Sequence, residues 1–128
     1  SSNAPAIQKS LYVNESSMNN FEGKVINELA NLENVVFWHK IIERRGFRIN
    51  GFLNHYPDFL LLTKSGKILL VESKGDNLDN SDSMRKLRLA QLWTSKAGND
   101  YRYFMIFDTN PIENAHRLDD AVKLIAQM

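Results

Sequence analysis

The chain has 128 residues, a formal net charge of +1, 43% hydrophobic and 24% charged residues, and no cysteine. These values fit one soluble globular domain with an ordinary core. They exclude disulfides, thiolate zinc sites and cysteine nucleophiles, and so small a positive excess does not by itself announce a nucleic-acid partner.

Ser1, Ser2, Asn3 and Ala4 read as the remnant of a cleaved tag, and residues 5–17 as a polar, flexible lead-in, so a single domain is expected over 18–128. Asn19 or Asn20 can cap a helix in which Phe21, Val25, Leu29 and Leu32 recur at helical spacing, which predicts an amphipathic helix over about 20–32. Glu22 falls in its first turn. The β-branched and aromatic residues of 34–42 and the run over 47–51 predict two strands joined by a turn at 43–46. Residues 58–63 and 67–74 predict two more, forming a hairpin that turns at Lys64, Ser65 and Gly66. The apolar run Leu60, Leu61 and Leu62 predicts a strand covered on both faces and placed centrally. A polar stretch then leads into a helix over about 82–97 that ends at Gly98, a strand rich in aromatics over 101–108, and a closing helix from about 114 to 127 carrying Leu118, Val122 and Ile125. The order predicts an α/β fold, a mixed sheet with helices on its faces and one right-handed crossover from 67–74 to 101–108.

Chemistry concentrates in residues 56–75. Side chains two apart on a strand share a face, so Glu72 and Lys74 project together while Val71 and Ser73 point the other way. A short hairpin makes the beginning of one strand neighbour the end of the next, so Asp58 should meet Glu72 and Lys74 at one end of the sheet. Two converging carboxylates form a hard oxygen site suited to Mg²⁺, and the carbonyl of Ser73 could add a ligand. A metal held there can polarise a phosphoryl oxygen and activate water, with the Lys74 ammonium orienting that water or offsetting phosphate charge. An ordinary solvent-facing Glu–Lys pair is the alternative. Against it stands a charged pair that interrupts an apolar strand where burial is otherwise expected.

Pro57 and Asp58, followed by Glu72, Ser73 and Lys74, resemble the signature of the PD-(D/E)XK nuclease superfamily. The wider context of these residues resembles the nuclease domains attached to type III restriction subunits and related superfamily 2 helicases, over nearly the whole chain from about residue 18. The resemblance implies a restriction-endonuclease-like mixed sheet and a Mg²⁺-dependent deoxyribonuclease in which Mn²⁺ can substitute. It implies metal held by Asp58, Glu72, Ser73 and a first-helix glutamate, for which Glu22 is the best match and Glu28 the runner-up. Either glutamate can also be read as an ordinary helix charge, and Glu22 suits a helix N-terminus regardless. Family members often place further polar residues on the helix after the ExK strand; here Lys86, Arg85, Arg88 and Gln91 are the candidates for substrate contact, with a solvated helix face as the plainer reading of each. Trp93 reads as core. His39, His55 and His116 have no metal-ligand spacing and read as structural or exposed, although His55 lies near the proposed site.

The resemblance implies DNA and a covalently linked or associated helicase/ATPase module as partners; no phosphate-binding GxxxxGK[ST] loop occurs, so ATP is not expected to bind this chain itself. A homodimer stays open. No run approaches the roughly 18 to 20 apolar residues of a membrane span and no stretch resembles a secretion signal, so the cytoplasm is the expected location. Two alternatives compete with a DNA endonuclease: a non-catalytic DNA-binding or docking module that keeps the fold, which the low net charge favours, and a junction- or RNA-specific phosphodiesterase.

Overall fold

The computed structural model describes residues 18–42, 55–75 and 80–128. The expected lead-in, the turn at 43–46 and the strand at 47–51 lie outside the described residues. The elements run α1 (Asn20–Ala30), β1 (Val35–Lys40), β2 (Phe59–Thr63), β3 (Ile68–Lys74), α2 (Asn80–Ala97), β4 (Tyr101–Phe107), β5 (His116–Arg117) and α3 (Leu118–Ala126).

Helix α1 starts at a reciprocal cap. The Glu22 N–H donates to the Asn19 side chain at 2.8 Å, and the Asn19 N–H donates to the Glu22 carboxylate at 3.2 Å, satisfying two donors that a helix start leaves without partners. The helix buries Val25, Ile26, Leu29 and Ala30 on one face and ends two residues earlier than expected, at Ala30.

The strands form one mixed sheet in the order β1-β2-β3-β4-β5. Pairing is antiparallel from β1 to β3 and parallel from β3 to β5. The β2–β3 turn closes with the Gly66 N–H donating to the Thr63 carbonyl at 3.0 Å, and Gly66 takes φ +89°, where a side chain would be strained. Helix α2 begins at Asn80, slightly before the predicted start, and Gly98 at φ +115° follows its end.

The two faces of the sheet are covered separately. One carries Val35, Phe59, Leu61, Leu69, Val71, Phe104 and Ile106 against Val25, Ile26 and Leu29 of α1 and Leu118, Ala121 and Ile125 of α3. The other carries Leu70, Met105 and Phe107 beneath Leu87, Leu89 and Ala90 of α2. Each fully buried large apolar side chain contributes about 1.5–3 kcal/mol. The strand closed over on both faces is β3, buried continuously from Leu69 to Glu72, whereas β2 alternates between buried and half-buried positions. The predicted central run thus lies one strand away.

The closing helix also differs. Asn114 adopts φ 69°, which interrupts a right-handed helix, and His116 and Arg117 pair in parallel with Ile106 and Phe107 before α3 starts at Leu118. His116 is therefore a sheet residue, its ring tilted against Phe104 with centroids 5.4 Å apart. No helix among the described residues is long and apolar enough to cross a membrane.

Candidate active site

Three segments end beside one another: the first turn of α1, the residues entering β2 and the last residues of β3. Phe59 pairs with Val71 across the hairpin, which brings Asp58 against the end of β3. There Asp58 Oδ2 accepts two hydrogen bonds at 2.8 Å, from the backbone N–H and from the hydroxyl of Ser73. Its backbone carbonyl accepts from the Ile41 N–H at 2.8 Å. Bonds to a carboxylate are among the stronger ones in proteins, so Asp58 is held from both neighbouring strands.

Glu72 and Lys74 share the sheet face that α2 covers, and Lys74 Nζ lies 3.3 Å from Glu72 Oε2. Glu72 is only 6% exposed. Its other oxygen, Oε1, is buried with no hydrogen-bond partner among the described residues. Burial first, then the nearby charge of Asp58, pushes the Glu72 carboxyl up to about 8, against the opposing pull of Lys74 and Lys86. A buried carboxylate oxygen without a partner is costly, and a second acid beside it adds repulsion. A hard divalent cation would relieve both, so the donor chemistry is of a kind that fits Mg²⁺, and Asp58 and Glu72 are the residues that could hold it. Among the described residues no group of three or more His, Asp or Glu side chains is arranged to hold a metal. The fit therefore rests on two carboxylates, a number Mg²⁺ commonly takes from a protein.

Glu22 is brought to the same place. Burial and the charge of Asp58 raise its pKa, and Lys40, whose Nζ lies 3.7 Å from Glu22 Oε1, opposes them. Glu28 is exposed.

From α2, Lys86 approaches the cluster, 3.3 Å from Asp82 one turn earlier. Burial lowers its pKa, but Glu72 and Asp82 outweigh burial and leave it raised. Arg85 is an exposed partner of the same Asp82 at 3.5 Å. Arg88 and Gln91 lie on another side of the helix, lining a shallow depression with Met84, Leu87, Ile112, Glu113 and Asn114. Neither is gathered with the carboxylates. Trp93 packs among core residues, its ring edge-on to Tyr101 at 5.2 Å.

Behind the cluster lies a pair that no local pattern singled out. His55 is 1% exposed, and its Nε2 lies 2.7 Å from the Tyr103 hydroxyl. Burial and the charges of Lys86 and Lys74 push the His55 ring down to about 3, so it stays neutral. Burial and the acids Glu72 and Asp58 hold the Tyr103 phenol well above its usual range. Parallel pairing sets Tyr103 beside Leu70 and Met105 beside Glu72, which puts Tyr103 on the face that carries Glu72. Lys40 carries no signal in the sequence either, because a lysine at the end of an apolar strand looks like a solvated strand end.

Comparison with known proteins finds no matching family model, no matching curated protein and no matching solved structure.

Proposed function

We propose that this chain is a divalent-metal-dependent nuclease domain of the PD-(D/E)XK kind, hydrolysing DNA phosphodiester bonds and working with a helicase or ATPase module. The observation that carries the reading is the meeting of Asp58, Glu72 and Lys74: a tethered carboxylate, a buried carboxylate with one unpartnered oxygen, and an ammonium 3.3 Å from the second. Their order along an antiparallel hairpin, followed by the β3–α2–β4 crossover, supports a restriction-endonuclease-like version of the mixed sheet.

The roles follow from the chemistry of each group. Asp58 and Glu72 would hold Mg²⁺ or Mn²⁺, and Ser73 keeps Asp58 aimed by two hydrogen bonds. The bound ion would supply Lewis acidity toward a phosphoryl oxygen and lower the pKa of its water. Lys74 donates to the attacking water or to a non-bridging phosphate oxygen, where negative charge develops. Lys86 adds a second positive charge on the α2 side of the scissile phosphate, and Asp82 fixes its direction.

Lys74→Ala is expected to remove cleavage of plasmid DNA in Mg²⁺ while the far-ultraviolet circular dichroism stays that of the parent. Cleavage by the variant at the parent's rate would overturn the reading. The near-neutral chain favours one alternative, a docking module that keeps the fold without the chemistry. Calorimetry separates them, since that module has no need to bind Mg²⁺ or Mn²⁺. Junction and RNA substrates, run beside supercoiled and linear DNA, define the substrate class.

A further inference from the structure

His55 and Tyr103 have no part in the chemistry above, yet they fasten the chain that delivers Asp58. His55 stands just ahead of Tyr56, Pro57 and Asp58, whose backbone is irregular until β2 begins at Phe59. Pro57 has no N–H with which to join a ladder. The fastening is made by side chains instead. His55 Nε2 lies 2.7 Å from the Tyr103 hydroxyl, and the two rings meet edge-on with centroids 5.6 Å apart. Tyr103 belongs to β4, and β3 lies between β2 and β4 in the sheet, so this bond reaches past β3 to tie the approach to Asp58 to the strand beyond it. His55 is almost wholly buried, and Tyr56 and Tyr103 both pack against the cluster of Leu70, Leu89 and Ala90. The other ring nitrogen, Nδ1, has no partner among the described residues, which leaves the Tyr103 hydroxyl as the ring's polar anchor among them.

We infer that His55 and Tyr103 are positioning residues of the metal site, their hydrogen bond being a strap that sets the direction from which Asp58 meets Glu72. This rests on the nuclease reading above. Both bonds from Ser73 fall on one oxygen of Asp58, Oδ2. They leave the direction of Oδ1 to the backbone that carries the side chain. Ile41 holds that backbone at the Asp58 carbonyl, on the β2 side, and the strap holds it from the opposite end. A cation that demands near-octahedral geometry is sensitive to such a setting, because a small turn of one carboxylate changes whether both acids can face the same ion.

Isothermal titration with Mn²⁺ and low-temperature electron paramagnetic resonance of the bound ion test the assignment. Tyr103→Phe removes the hydroxyl and keeps the ring in the core. It is expected to weaken Mn²⁺ binding by about 10-fold, the lower end of what residues that orient metal ligands contribute, and to alter the zero-field splitting of bound Mn²⁺. His55→Leu should lose as much, and the double variant no more than either single one, because both changes remove the same bond. His55→Gln, whose amide can still meet the hydroxyl, should stay near the parent. A bond with a merely structural role would lower Tm and leave affinity and spectrum as in the parent; that result in folded Tyr103→Phe would overturn the strap and leave the nuclease reading standing. Absence of Mn²⁺ binding in every form, the parent included, would overturn that reading and this inference together. Should Tyr103→Phe fail to fold, the His55→Leu and His55→Gln pair decides, equal affinities sinking the strap.

Discussion

Ser73 illustrates how much one residue of β3 does. It grips Asp58 twice, through its backbone N–H and its hydroxyl, and strand geometry preserves only the first when the side chain is lost. Residues that orient a metal ligand commonly contribute about 10- to 100-fold in affinity. With one of two bonds kept, Ser73→Ala is expected to weaken Mn²⁺ binding by about 10-fold, measured by calorimetry, without unfolding the chain. Unchanged affinity would mean that Asp58 needs no such support. At this scale the sequence is informative where chemistry follows a strand's period of two: Glu72 and Lys74 had to share a face, and they lie 3.3 Å apart. It is silent where a role comes from elements meeting in space. Lys40 acquires its meaning only when α1 lays Glu22 against β1, and Tyr103 only when the parallel register of β4 sets it on the face of Glu72.

Among the elements, α1 connects stability to the site through its cap. Asn19→Ala removes the side-chain acceptor of the Glu22 N–H, and loss of such a cap costs about 1 kcal/mol. A fall in Tm of about 3–5 °C is expected on thermal denaturation followed by circular dichroism. The Glu22 carboxylate keeps both the Asn19 N–H and Lys40, so Mn²⁺ binding should change far less than stability does. A large loss of metal affinity with little change in Tm would contradict this division of labour. Periodicity made α1, β1 to β4 and α2 readable because each is long enough to repeat its pattern. The start of α3 was not readable, for a local reason: Arg117 occupies the cap position without a side-chain cap bond, whereas Asn114, which looks like a cap, bends the chain at φ 69°. Strand β5 is two residues long, defined by its bonds to β4 and by no pattern of its own.

For the molecule as a whole, burying acids and imidazoles within one fold gives stability two opposing pH limbs. Glu72, raised from 4.5 to about 8, binds its proton more tightly when folded, so its contribution is full below about pH 4.5 and is lost as pH climbs through 8. Glu22, also raised, acts in the same direction. His55, lowered from 6.5 to about 3, stays neutral in the fold while the unfolded chain takes up a proton, so its contribution is full above about pH 6.5 and is lost as pH falls toward 3. His39 and His116, lowered by burial, add to that limb. Between about pH 4.5 and 6.5 the slopes oppose one another, and outside that window one side acts nearly alone. Metal-free protein should therefore be most stable in mild acid and lose Tm steadily from pH 6.5 to 8, a range in which salt-bridged carboxylates of depressed pKa contribute no slope. Glu72→Gln should flatten the upper limb and His55→Gln the lower, each leaving the other slope in place. A Tm that stays level between pH 6.5 and 8 in the metal-free parent would show that Glu72 is already charged there, and that Lys74 and Lys86 compensate its burial without a metal.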